Sequence, residues 1–120
     1  MPKLLIFTDV LIDKGSKYAV SGAPAVTRAD TQSLIKALKK QKKFNRASHH
    51  SWALISSKHG PLKNDDGEAG AGMVMLRMLE REGLTDHMVI VTRWYGGTKL
   101  GADRFKHIIT CVNKYLGALA

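Results

Sequence analysis

The sequence predicts an α+β domain in two layers, a sheet covered by helices on one face, with the element order β-β-α-β-α-β-α. Three observations predict it. Short runs of branched and aromatic residues, bounded by Gly, Pro, Asn or Asp, have the length and chemistry of strands. Three longer stretches repeat apolar residues at helical spacing. No Pro/Gly/Ser-rich linker, internal repeat or low-complexity tail divides the 120 residues, so 1–120 is expected to form one domain around one core.

The first strand is expected from Leu4 to Leu11, and Asp13-Lys14-Gly15-Ser16 supplies turn chemistry before a second strand from Lys17 to Val20. Gly22 and Pro24 end that strand. Thr27 or Asp30 then caps a helix with Leu34, Ile35 and Leu38 on one side and lysines on the other. A third strand from Ser51 to Ile55 sends Trp52 and Leu54 to one face and Ala53 and Ile55 to the other, the pattern of a strand covered on both sides. Lys58 to Gly72 is poor in large apolar residues and rich in Gly, Asp and Asn, so it reads as an ordered loop. Met73, Leu76 and Leu79, with Met75 and Met78, mark a second helix that Gly83 stops, its methionines filling the core. Met88 to Thr92 is a nearly uninterrupted apolar strand of the kind found at the centre of a sheet. Phe105, Ile108, Ile109, Val112 and Leu116 mark the last helix.

Hydrophobic residues make up 44% of the chain and charged residues 24%, which excludes a globally disordered polymer. No apolar run approaches the ~20 residues that span a bilayer. Leu4 to Phe7 is too short for a signal peptide, so a cytoplasmic protein without membrane contact is expected. The one cysteine, Cys111, falls at helical spacing among apolar residues and reads as a buried thiol. Nineteen Lys and Arg against ten Asp and Glu give a formal charge of +9, a field that attracts nucleic acid, a ribosome or an acidic protein surface. Its densest block, Lys36, Lys39, Lys40, Lys42, Lys43 and Arg46, has the periodicity of a solvated helix face.

Function is expected on two glycine-rich turns. Asp65-Asp66-Gly67-Glu68-Ala69-Gly70-Ala71-Gly72 sets three carboxylates before a helix, where they oppose its positive end, support glycine turns or offer oxygens to a hard cation. Their spacing is not that of an EF-hand, so no metal is expected. Arg93-Trp94-Tyr95-Gly96-Gly97-Thr98-Lys99-Leu100-Gly101 joins the central strand to the last helix; its backbone N–H groups, with Lys99 and Arg104, suit an anion, while Gly96 and Gly97 equally suit close backbone packing. Arg93, Trp94 and Tyr95 read either as a stacking and phosphate-contacting surface for single-stranded nucleic acid or as the anchor of a protein interface. His49 and His50 alternate in direction before the third strand and do not make a metal pair. A hydrogen-bonded structural role is expected for His49. Nucleophile, base and oxyanion site are not jointly identifiable, which argues against an enzyme and assigns no catalytic residue and no cofactor. A metal-assisted hydrolase built on Asp65, Asp66 and Glu68 with His49 as base stands as an alternative.

At Asn45-Arg46-Ala47-Ser48-His49, Asp65-Asp66-Gly67-Glu68 and Arg93-Trp94-Tyr95-Gly96-Gly97 the sequence resembles the Impact family, which includes bacterial YigZ-like proteins. Leu100-Gly101-Ala102-Asp103-Arg104-Phe105-Lys106-His107-Ile108 is similar to the eukaryotic Impact form in particular. Several separated motifs in one order, over roughly Ser16 to Leu116, make the likeness more specific than any lone glycine pattern. His50 departs from it where asparagine is common, and Ala102 where proline is. The resemblance implies a fold like the second domain of a small-subunit ribosomal protein and a role in translational control during amino-acid starvation. Full-length relatives restrain the starvation-responsive kinase by competing for its ribosome-associated activator; actin binding and ribosome association are further family properties. The expected portion is the Impact domain alone, without the RWD domain that contributes to activator binding. A non-enzymatic binding domain is therefore expected, with a translation-regulatory protein or ribosome-associated complex as partner and RNA or actin as further candidates. Its contacts are expected at Arg93, Trp94, Tyr95, Gly96, Gly97, Lys99, Arg104 and Lys106, with Asp65, Asp66, Gly67, Glu68 and His49 in the adjoining loop. Direct RNA binding is the alternative within the same surface.

Overall fold

A computed structural model describes residues 3–120; the first two positions of the expected domain span lie outside the described residues. The strands are β1 (Leu5–Asp13), β2 (Ser16–Pro24), β3 (His49–Ser56), β4 (Gly60–Asn64) and β5 (His87–Trp94), and the helices are α1 (Arg28–Lys39), α2 (Lys42–Asn45), α3 (Ala71–Glu82) and α4 (Asp103–Leu119). All five strands form one antiparallel sheet in the order β1-β2-β5-β3-β4. The α+β class is as the sequence predicts.

Local chemistry sets several boundaries. Lys14 and Gly15 both take positive φ, 47° and 83°, and so close β1 onto β2 with the two-residue turn whose twist matches a hairpin. Thr27 Oγ1 accepts from the Asp30 N–H at 3.0 Å while Asp30 Oδ2 accepts from the Thr27 N–H at 3.0 Å, a reciprocal cap that fixes where α1 begins. Gly83 ends α3 at φ 66°.

Two features correct the sequence reading. Helices cover both faces of the sheet, because the central strands are apolar on both sides and each side needs a cover. On one face α3 and α4 pack Met75, Leu79, Ile108, Val112 and Tyr115 over Tyr18, Val20, Val89 and Val91. On the other, α1 and α2 pack Leu34, Leu38 and Phe44 over Ala19, Trp52, Leu54, Met88 and Ile90. Second, residues 60–64 of the expected loop form an edge strand. That segment holds one large apolar residue, Leu62, and pairs because β3 presents an open ladder to it; Pro61 is tolerated because the strand is an edge.

Smaller differences follow from helix phase. Met73 and Ile109, expected in the core, are 40% and 41% exposed, while Met75, Met78 and Cys111 are buried. The Cys111 thiol is pushed up to about 12 by burial, as expected for a structural cysteine. Among the described residues no helix is long and apolar enough to cross a membrane.

Candidate functional site

Register brings the two glycine-rich turns together. Arg93 on β5 lies opposite Tyr18 on β2 and His49 on β3, so the three side chains share the face covered by α3 and α4. On that face, above Arg93, sits Glu68 from the loop before α3. Arg93 Nη1 donates to Glu68 Oε1 at 2.8 Å and Oε2 at 3.2 Å, with both side chains almost wholly buried. Arg104, in the first turn of α4, approaches the same carboxylate at 3.6 Å, and His49 Nε2 lies 4.0 Å from it. One carboxylate thus gathers two guanidinium groups and an imidazole from three separate segments.

Neighbouring groups fix this centre. Ser16 Oγ accepts from Arg93 Nη2 at 3.3 Å and from the Gly96 N–H at 3.1 Å. The guanidinium lies between the rings of Tyr18 and Tyr95, 5.8 and 5.5 Å from their centroids. Asp65 accepts from the N–H groups of Gly70 at 3.0 Å and Gly72 at 2.8 Å. Burial works against the Asp65 charge, but those two N–H groups, together with the charges of Lys63 and Arg104, outweigh it and hold the carboxyl below its usual range. Asp66 Oδ2 accepts from the His50 N–H at 2.7 Å, and His49 Nδ1 donates to the Asp66 carbonyl at 2.9 Å. Asp66 and Gly67 both hold positive φ, 47° and 84°, which turns the loop back onto β3. The structural role expected for His49 fits this geometry.

Three expectations change here. Arg93, Trp94 and Tyr95 do not form one surface, because β5 runs on to Trp94 and alternation sends Arg93 to one face and Trp94 to the other. Arg93 is 5% exposed and ion-paired, so it offers nothing to a phosphate outside. The three loop carboxylates do not converge either: Asp65 and Asp66 are bound to backbone N–H groups and Glu68 to arginine. Among the described residues no cluster of three His, Cys, Asp or Glu side chains could hold a metal ion, and the geometry gives the hydrolase reading no centre.

Gly96 is a packing glycine: a Cβ there would stand 2.1 Å from the Gly15 carbonyl carbon. Gly97, at φ 93°, has open space around it, and Lys99 and Lys106 are exposed on the turn and on α4.

A further group of accessible cations gathers on the other face of the sheet. On the α1/α2 face, Trp94 Nε1 donates to the Lys43 carbonyl at 2.9 Å and its ring packs on Phe44 with centroids 5.3 Å apart. Around it Lys17, Lys43, Arg46, Gly15, Trp94 and Tyr95 line an open groove of about 440 Å³. Lys43 Nζ lies 5.5 Å from the Trp94 ring centroid, and Tyr95 is 49% exposed. Sequence reasoning missed Ser16 and Tyr18, which only the register brings to Arg93, and Lys17. It assigned Lys43 and Arg46 to a solvated helix face, although a helix of four residues, Lys42–Asn45, presents them beside an aromatic pair. His50 is buried on this face; Nε2 donates to the Phe44 carbonyl at 2.9 Å and Nδ1 accepts from Thr92 Oγ1 at 2.9 Å. Burial, with Lys39 nearby, lowers its pKa below the ordinary histidine value.

Fold and site together define a class: a five-stranded antiparallel α+β domain whose buried polar centre is an arginine-bound carboxylate. The chain belongs to the Impact N-terminal domain family, whose pattern matches residues 14–116. Protein IMPACT-A of Xenopus tropicalis is 34% identical over 117 residues, which cover 93% of this chain and 37% of that protein. An IMPACT family member of Saccharomyces cerevisiae is 33% identical over 144 residues, covering 87% of this chain and 85% of that one. The chain therefore spans a little over a third of the length of the first relative. The two-domain translational regulator Yih1, 29% identical, superposes with a TM-score of 0.53 over 87% of this chain and 42% of its own. The crystal structure of a hypothetical protein, 24% identical, superposes with a TM-score of 0.76 over 96% of this chain and 56% of its own, a likeness of fold.

Proposed function

We propose that this chain is a non-enzymatic binding domain of translational regulation, acting in the cytoplasm through a translation-regulatory protein or a ribosome-associated complex. Membership of the Impact family and similarity to a protein described as a translational regulator support the setting. The observation that carries the binding role is the groove in which Lys17, Lys43 and Arg46 surround Trp94 and Tyr95. Cations beside large amphipathic rings supply both the steering field and the anchors of an interface with an acidic surface.

Co-sedimentation with purified ribosomes across a salt series tests this, comparing wild type with Lys17→Glu/Lys43→Glu/Arg46→Glu. All three side chains are exposed, so the variant is expected to fold, which circular dichroism checks. Retention at moderate salt that the triple reversal abolishes supports the proposal; equal retention of both proteins overturns it. Arg93 and Arg104 are unsuitable for reversal because they hold Glu68.

Direct RNA binding is the second reading, favoured by the exposed ring of Tyr95 in the same groove. It expects a Tyr95→Ala variant to bind an oligouridylate more weakly by about 1 to 3 kcal/mol, the usual worth of one stacked base. An unchanged affinity rejects stacking at that residue.

A further inference from the structure

A second groove lies on the same face, between α1 and the β3–β4 edge of the sheet. It is about 400 Å³ in volume and shares no residue with the groove around Trp94. Arg28, Lys36 and Lys39, spaced along α1, form one wall; Asn64 at the end of β4 stands on the other side, and Ile35 and the edge of Trp52 make the floor. This volume falls within the range of small-ligand clefts.

We infer that this groove receives an acidic peptide segment carrying one large apolar side chain. Charge is the first argument. Among the described residues, none of Arg28, Lys36 and Lys39 takes part in an ion pair. Asp30 turns to the Val26 and Thr27 N–H groups at 2.9 and 3.0 Å and Asp66, beyond the far end, to the His50 N–H at 2.7 Å, and among the described residues neither forms an ion pair with the three cations. Three cations around an apolar floor attract carboxylates to the rim and an apolar group to the centre.

The floor decides between peptide and nucleic acid. A base needs an open aromatic face to stack on. Trp52 is only 5% exposed, and Ile35 is aliphatic, so the groove offers no such platform. Tyr95, by contrast, opens its ring into the other groove. An aliphatic anchor such as leucine fills the present one without needing a stacking partner. The helix wall is fixed by the reciprocal Thr27 and Asp30 cap at one end and by Leu34 and Leu38 in the core, so little ordering opposes binding.

The chain's two tryptophans, Trp52 and Trp94, mark one groove each, which makes a direct test possible. In a Trp94→Phe variant the emission comes from Trp52 alone. Titration with an acetylated Glu-Glu-Leu-Glu-Glu peptide is expected to shift that emission saturably. The shift is expected to weaken when Leu is replaced by Ala or all Glu by Gln, and the affinity to fall about fivefold in Lys36→Gln/Lys39→Gln, two rim charges acting together. No response, or an equal response to the Gln peptide, overturns the proposal. An oligouridylate that shifts Trp52 as strongly reassigns the groove to nucleic acid, and a concentration-dependent shift without peptide reassigns it to a second copy of the chain. Should Trp94→Phe fail to fold, the Trp52 indole N–H in nitrogen-15-labelled wild type gives the same readout. Because the two grooves share no residue, failure here leaves the ribosome experiment unaffected.

Discussion

Replacing Glu68 by Gln removes one negative charge with almost no change of shape and leaves Arg93 buried without its counterion. The guanidinium retains Ser16 Oγ, at 3.3 and 3.4 Å, and the faces of Tyr18 and Tyr95, all of them neutral. Arg104 is 29% exposed and 3.6 Å from the carboxylate, so it can turn to water; Arg93, with 6% of its side chain accessible, cannot. Removing one partner of a buried pair costs about 3 to 5 kcal/mol. Because Gln keeps one acceptor oxygen, Glu68→Gln is expected near the lower end, about 3 kcal/mol. Urea denaturation at neutral pH measures the loss, and the melting temperature is expected to fall by roughly 10 °C. A Glu68→Leu/Arg93→Met protein, which removes both charges, is expected to lose at least about 2 kcal/mol less than the two single changes summed. Stability within about 1 kcal/mol of wild type for Glu68→Gln, the range of a solvent-screened pair, would refute the argument that this carboxylate joins the two turns.

The glycines of the second turn are expected to separate sharply. Gly96→Ala drives a Cβ to 2.1 Å from backbone and should cost several times the ~1 kcal/mol of Gly97→Ala, whose only penalty is a positive φ in open space; urea titration compares them. Acid sensitivity is expected from His50 and His87, whose pKa values burial lowers below the ordinary histidine value of about 6.5. Below that value the unfolded chain binds more protons than the folded one, so melting temperature should stay level above it and decline from there toward their folded pKa values, with a shallower decline in His87→Gln. The Cys111 thiol, buried and pushed up to about 12, should resist a thiol reagent at pH 8 in the folded protein and react fully in denaturant.

What the sequence revealed was chemistry confined to a few neighbouring residues. The Thr27 and Asp30 cap, the Lys14-Gly15 turn and the Gly83 stop each depend on contacts within one turn of chain, and each is visible in the string. β4 is not visible, because 60–64 becomes a strand only through the ladder β3 offers it. The second helical layer was half visible: the expected alternation of Trp52 and Leu54 against Ala53 and Ile55 already required cover on both faces, and the two cores divide those four residues in just that way. Placing all helices on one side ignored that requirement.

The site turned on a boundary shift of two residues. Ending the central strand at Thr92 makes Arg93-Trp94-Tyr95 a turn, free to present three side chains together; extending it to Trp94 imposes alternation and pulls them apart. Arg93 then enters the buried layer and finds Glu68, so this charge serves architecture, while Lys43 and Arg46 retain access to solvent. The same sign of charge therefore has opposite experimental meaning in the two places. Reversing Arg93 sets two carboxylates against each other inside the protein and tests stability; reversing Lys43 alters a field in water and tests binding. A loss of partner affinity after an Arg93 change is evidence about the interface only when the variant is shown to be folded, whereas a loss after Lys17, Lys43 and Arg46 changes, with the Glu68 centre untouched, assigns the partner to the α2 face.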